Sequence, residues 1–239
     1  MAHMTVLTTL NGTEMNYYPI NGIIPEVKVA LDENVSSDAL TALGDLDTLT
    51  LDEIIESKIG DAALMVHEKA AHWLLTDGIN YTVVNPTVQM LGGGWKMLRT
   101  KLPADFLRIV SVKAQDWDYP VVELIDEISP LYTMQFSRFG GIHGNPQRPV
   151  AALVHSTVEG GLALELFGVP AAGSNVISQC IYIARPAAMG GAIRLCEKLK
   201  RATVYRAASL VALTVKDGDA AAALLATSNE LAGITTAEQ

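Results

Sequence analysis

Cysteine is scarce in this chain: Cys180 and Cys196 are the only two in 239 residues. Two thiols give no disulfide framework, and their spacing matches no zinc signature. An intracellular folding compartment is therefore expected. The opening residues lack the charged stretch and apolar core of a secretory signal. No uninterrupted apolar run reaches the length of a bilayer span, so no membrane insertion is expected. Proline (10) and glycine (19) are too few for a disordered tract. Phosphate-cradling, dinucleotide-binding, nucleophile-elbow and base-reading motifs are missing as well. The weight falls on architecture and assembly, with no cofactor or metal expected.

What is present is globular. The chain is 49% apolar and 18% charged, enough for one large or two small domains. Its net charge of −9 is uneven. Residues 1–60 carry ten acidic and two basic groups, a balance of −8. Residues 191–216 carry six basic groups (Arg194, Lys198, Lys200, Arg201, Arg206, Lys216) against Glu197, a balance of +5. An acidic end and a basic helix suit charge complementarity between protein subunits.

Along the chain the hydrophobic period changes twice. Residues 1–24 read as extended or irregular, with Asn-Gly turns at 11–12 and 21–22. Pro25 suits the start of a short helix through Val27, Lys28 and Leu31. Thr50–Leu51–Asp52–Glu53 is a capping box with Leu49 and Ile54 as a staple. Behind it Ile55, Ile59, Ala62, Val66, Ala70 and Trp73 recur at helical spacing as far as Asp77–Gly78. Residues 79–104 read as a connector with short strands, bent at Gly92–Gly93–Gly94.

Strands are predicted at Phe106–Lys113, Asp118–Ile125, Val150–His155, Leu162–Phe167 and Ile177–Ala184. The third and fourth form a hairpin around Gly160–Gly161. Residues 129–149 are rich in turn residues. From Gly191 the period is helical again, with a second helix over Ala220–Leu231 capped by Asp219.

The predicted class is α+β: a helical bundle of N- and C-terminal helices with a central antiparallel β-rich insertion. The division is an arm at 1–49 with a short helix, a helix and connector at 50–105, a β-rich domain at 106–190, and a helical hairpin and tail at 191–239.

Several residues invite catalytic readings. His67 and His72 flank a Glu-Lys-Ala-Ala stretch that imitates a zinc-protease helix, but five-residue spacing puts them about 140° apart around a helix. Asp116, Asp118, Glu123, Asp126 and Glu127 could pair across a substrate cleft, as glycoside chemistry requires. Adjacent His155 and Ser156 on a strand would point to opposite faces. Cys180 and Cys196 read as buried structural thiols. Tyr17, Tyr18, Trp95 and Trp117 are candidate interface anchors, with core roles as the alternative. Arg194, Lys198, Lys200, Arg201 and Arg206 are the basic candidates for the same role.

The stretch Leu102–Pro103–Ala104–Asp105–Phe106–Leu107–Arg108, running on to Val112, resembles a Leu-Pro-x-Asp-Phe-x-Arg approach to a β domain in head–tail connector, or adaptor ring, proteins of tailed bacteriophages. Asp118–Tyr119–Pro120–Val121, Ser129–Pro130–Leu131–Tyr132 and Gly144–Asn145–Pro146–Gln147–Arg148–Pro149–Val150–Ala151 continue the likeness, which is closest to connectors of short-tailed phages. The resemblance implies a structural virion protein, not an enzyme. It implies a ring of about twelve copies at the head–tail junction, assembled in the host cytoplasm. Portal protein and tail or second ring proteins would be its partners, with packaged DNA close by but not read. A virion decoration or tail-linked interaction protein, and a hydrolase-like enzyme, are the alternatives.

Overall fold

A computed structural model describes residues 16–31, 49–137, 139, 141–156 and 160–234. The chain is mixed α+β, with five α-helices among the described residues and about 30% strand. It divides into two compact units, Met1–Asp77 with Arg185–Gln239, and Gly78–Ala184.

The first unit opens with β1 (Tyr17–Pro19), α1 (Ile20–Ala30) and α2 (Leu51–Lys69). The second holds β2 (Ile79–Asn80), β3 (Thr87–Met90), β4 (Trp95–Lys101), β5 (Phe106–Ala114) and β6 (Ile125–Asp126). It continues through α3 (Pro130–Met134), β7 (Val150–Ser156), β8 (Gly161–Pro170) and β9 (Ile177–Ala184). The chain then returns to the first unit with β10 (Ala188–Met189), β11 (Ala192–Arg194), α4 (Lys200–Thr214) and α5 (Gly218–Leu231).

In the first unit α1, α2 and α4 share one core of Ile23, Val27, Ile55, Ile59, Ala207 and Val211. Alanines on α4 let the neighbouring helices approach closely. The helices α4 and α5 run antiparallel, since Ser228 Oγ donates to Ala202 O at 2.8 Å and Ser209 Oγ to Ala221 O at 2.9 Å. Each serine satisfies its buried hydroxyl on the facing helix.

Four expectations for this unit are corrected. The first helix starts at Ile20, five residues before Pro25, because Ile20 N–H is anchored on Gly191 O at 2.9 Å. Pro25 lies inside α1 and forfeits one hydrogen bond to Asn21. The helix α2 stops at Lys69, because Ala70 and Ala71 turn extended and Ala71 N–H bonds Ala232 O at 2.9 Å. Trp73, expected on its apolar stripe, is left exposed. Residues 192–199 form β11 and a short 3-10 turn in place of helix. Finally, α5 is capped by Asp217, whose Oδ1 accepts from Ala220 N–H at 3.0 Å, and not by Asp219.

In the second unit a sheet ordered β2-β9-β5 and a sheet ordered β3-β4-β8-β7-β6 enclose a common core. All pairs are antiparallel except β6 with β7. The expected hairpin is formed by β7 and β8, with Val150 opposite Phe167 and Ser156 opposite Gly161. Of the predicted strand Asp118–Ile125, only a bridge from Val121 to Val112 and the first residue of β6 are strand.

Strand β8 is buried on both faces. Leu164 and Leu166 enter the core shared by the two sheets. Ala163 and Phe167 enter a second core, which Tyr132 of α3 helps to cover. Two covered faces explain an almost unbroken apolar run where a one-sided hairpin would alternate.

Candidate functional site

Among the described residues of the second unit, the stretch from Ile128 to Ile142 is rich in exposed apolar side chains. It carries six large apolar side chains that stay exposed: Ile128, Leu131, Met134, Phe136, Phe139 and Ile142. Ile128 is 86% and Phe139 74% exposed, so neither is a core residue grazing the surface. Large apolar side chains left exposed in one short stretch are the kind of surface that marks an interaction site.

The segment is held from beneath. Ser129 Oγ accepts from Leu131 N–H at 3.3 Å and Pro130 fills the first helical position, so the sequence starts a turn of helix there. Leu131 and Met134, three apart, then share one outward face. Tyr132 points inward and donates to Glu165 Oε2 at 2.9 Å. Glu165 is fully buried on β8, and Arg99 of β4 donates to its other oxygen from Nε at 2.8 Å and also from Nη2. Both carboxylate oxygens are therefore satisfied, as a buried charge requires.

Burial, reinforced by the bond to Glu165, pushes the Tyr132 phenol up to about 12, so it remains a donor. Tyr132, Phe136 and Phe167 meet edge to face with centroids 5.3–5.9 Å apart.

The far end of the segment is tied down by Gln135. Its Nε2 donates to Leu131 O at 2.9 Å and its Oε1 accepts from Gly144 N–H at 2.8 Å. His143 bonds Gly144 O through Nδ1 at 2.7 Å, with the Trp95 ring 5.3 Å from its own. Asn145 Oδ1 accepts from Gln147 and Arg148 N–H, both at 3.0 Å, closing the turn. That turn crosses Gly168 so closely that a Cβ there would lie 2.8 Å from Asn145 N. The left-handed φ of Gly168, +77°, makes glycine doubly necessary.

The stretches that carry the family resemblance meet in this unit. Phe106 N–H bonds Pro103 O at 3.1 Å and Asp105 Oδ1 accepts from Tyr182 O–H at 3.1 Å, so Leu102–Arg108 spans the turn after β4 and the first residues of β5. Asp118 N–H bonds Pro146 O at 2.9 Å, joining the second stretch to the fourth. Gln135, just past the third, joins it to Gly144.

In the first unit the basic candidates divide. Lys200 pairs with Glu26 and lies 5.3 Å from the centroid of the Tyr18 ring. Tyr17 and Tyr18 are half-buried on β1, opposite Arg194 and Ile193. Arg194 donates to Arg185 O at 3.3 Å, and Arg206 is half-buried with Nη2 3.3 Å from Met65 Sδ. Lys198 and Arg201 remain exposed, one turn apart. The expected basic helix is therefore spread over a strand, a 3-10 turn and α4, and of its residues Lys198, Arg201 and Lys216 are exposed. In the second unit Trp95 is half-buried and Trp117 is 2% exposed within the sheet core, so Trp117 presents no surface to a partner.

Several of the residues that invited catalytic readings are hydrogen-bonded within the fold. His67 is buried, donating from Nδ1 to Ala63 O at 2.8 Å and accepting from Cys196 N–H at Nε2 at 3.0 Å. His72 lies beyond the end of α2, in a 3-10 turn. Asp116 accepts from Ser174 N–H at 2.6 Å and Asp126 from Ile128 N–H at 3.2 Å. Glu127 holds His155 N–H at 2.9 Å, while Asp118 and Glu123 are exposed. His155 is exposed and Ser156 buried, on opposite faces of β7. Both cysteines are buried and free, and burial pushes the Cys180 thiol up to about 11. Among the described residues no group of three or more His, Cys, Asp or Glu side chains could hold a metal ion, and no helix is long and apolar enough to cross a membrane.

Sequence reasoning missed Glu165. A lone carboxylate inside an apolar strand, with Arg99 and Tyr132 elsewhere, was the available signal. Comparison of the chain with family models, curated proteins and solved structures returns no match.

Proposed function

We propose that the protein is a structural subunit that works by assembling: a portal-proximal head-to-tail connector ring of a short-tailed bacteriophage, helping to seat the tail and line the DNA exit channel. The observation that carries the assembly reading is the exposed apolar segment 128–142, pinned by Tyr132, Gln135 and Glu165. A backbone turn already held at Tyr132 and Gln135 has less to order on docking. The resemblance of residues 102–151 supplies the particular assembly.

In this reading the helices of the first unit act as a bundle that packs copy against copy around the channel. Portal protein and tail or second ring proteins lie above and below, with about twelve copies in the ring. Packaged DNA passes close by with few strong contacts, since a sticky wall would hinder its passage.

The test replaces Ile128 and Phe139 with aspartate. Both side chains are exposed, so circular dichroism and thermal unfolding should match the wild type. Native mass spectrometry, or incorporation into particles, should show assembly reduced by about tenfold or more. Assembly equal to that of the wild type would remove this surface from the account.

A further inference from the structure

The five-stranded sheet of the second unit ends in β3, which among the described residues has a neighbouring strand on one side only, β4. All four of its residues are exposed, Met90 by 63% and Val88 by 38%. The register with β4 shows which backbone groups are left over. Leu91 N–H bonds Trp95 O at 2.8 Å, and Gln89 and Thr87 lie opposite Met97 and Arg99. Hydrogen-bonded pairs alternate along an antiparallel ladder, so Leu91, Gln89 and Thr87 turn their N–H and C=O toward β4. Val88 and Met90 therefore turn theirs to the open edge.

An open edge is a template for pairing with another chain, and folded proteins guard such edges with charge, proline or a covering element. Within β3 there is neither charge nor proline. No charged side chain occurs between Asp77 and Lys96, eighteen consecutive residues in a chain of net charge −9. Copies of an acidic chain repel one another, and this stretch is where that repulsion is locally absent.

The strand is also complementary to itself. Let a second copy of β3 run antiparallel to it about a two-fold axis at Gln89. Val88 then meets Met90 of the second copy, and Met90 meets Val88. Both become hydrogen-bonded pairs, because their outward groups face one another, and Gln89 meets its own copy between them. An axis at Val88 would instead set Met90 against Pro86, which has no N–H. An axis at Met90 would set Val88 against Gly92, in the 3-10 turn beyond the strand. An axis between two residues would oppose an outward-turned residue to an inward-turned one. Val88 lies opposite Leu98, a member of the core shared by the two sheets. Val88 and Met90 of both copies would thus meet on the core side of the joined sheet.

We infer that β3 pairs with β3 of a second copy of this chain, antiparallel about Gln89, making one continuous sheet from two. Four residues a side form a small contact, of the transient class. The inference goes beyond the ring reading and does not rest on it. A surface that pairs with itself closes a dimer, whereas a ring is built from two different surfaces on each subunit.

The experiment uses full-length chains, each with one introduced cysteine. The natural cysteines are buried, so oxidation reports the introduced thiols. About the proposed axis the two Gln89 Cα atoms stand about 4.5 Å apart, within disulfide reach, while the two Thr87 Cα atoms stand about 14 Å apart. Gln89→Cys chains should therefore form linked dimers in about tenfold excess over Thr87→Cys chains. Gln89→Lys and Gln89→Glu each set like charges opposite one another. Each alone should weaken the dimer about fivefold in sedimentation, and an equimolar mixture should restore it. Met90→Pro removes an outward N–H and no bond to β4, so circular dichroism should match the wild type while the dimer is lost.

Equal linkage at positions 87 and 89 would overturn the inference. So would a mixture of the charged variants no tighter than either alone. A wild-type chain that stays monomeric at every concentration would overturn it too, and would leave the edge to a strand of another protein. The ring reading fails separately: a linked dimer with no ring in particles would discard the connector and retain the β3 pairing, and rings without the link would do the reverse.

Discussion

At the scale of single residues, the buried polar groups are where sequence and structure can be tested with least ambiguity. His67 Nε2 accepts a backbone N–H and Nδ1 donates to a carbonyl, so the folded state holds the neutral ring. Burial lowers its pKa, outweighing the bond to Ala63. In the unfolded chain a histidine titrates near pH 6.5, and in the fold it resists protonation to lower pH. Its contribution to stability is therefore full above about pH 6.5 and is lost as the pH falls through that value toward the lowered folded pKa. Denaturant unfolding at about pH 7.5 and about pH 5 should show a larger acid loss in wild type than in His67→Gln; parallel losses would contradict this.

Tyr132→Phe removes one charge-assisted bond to Glu165 and should cost about 1.5–3 kcal/mol, measured by the same unfolding experiment. Thr50→Ala removes the cap of α2, where Thr50 Oγ1 accepts from Glu53 N–H at 3.3 Å and Glu53 Oε2 accepts from Thr50 N–H at 2.8 Å. Its expected cost is about 0.5–2 kcal/mol. The capping box was readable from four letters because every partner lies within one turn. Glu165 was not, because Arg99 and Tyr132 lie 66 and 33 residues away in the chain.

At the scale of elements, period and turn chemistry located the long segments. Strand β9 runs over Ile177–Ala184 as its apolar run predicts, and β7 and β8 pair across the expected glycines. Two of the misjudged boundaries are set by contacts distant in sequence. Helix α2 ends where Ala71 meets Ala232, and α1 begins where Ile20 meets Gly191. Neither partner can be inferred from local pattern.

Charge on α4 was visible in sequence, but its division was not. Lys200 is committed to Glu26, whereas Lys198 and Arg201 are free to meet a partner. Lys200→Glu should therefore destabilise the isolated chain by about 1 kcal/mol through repulsion from Glu26. Lys198→Glu with Arg201→Glu should leave stability within about 0.5 kcal/mol while weakening assembly. Equal stability effects for the two changes would argue that Lys200 is as free as its neighbours.

At the scale of the whole molecule, the α+β class follows from the change of hydrophobic period along the chain, and each of the two units is organised around cores of its own. The assembly account joins the apolar segment 128–142 to the wording of residues 102–151. Its exposed charged contacts should weaken as salt rises, since screening acts most strongly on pairs in water, while contacts through Ile128 and Phe139 should respond less. Sedimentation over a salt series would separate the two contributions. The most direct measurement is cryo-electron microscopy of the native particle that contains this chain. The account predicts about twelve copies in a closed ring on the tail axis beneath the portal, with the 128–142 segment buried against protein. A single isolated copy, or copies placed away from that axis with the segment left in solvent, would contradict it.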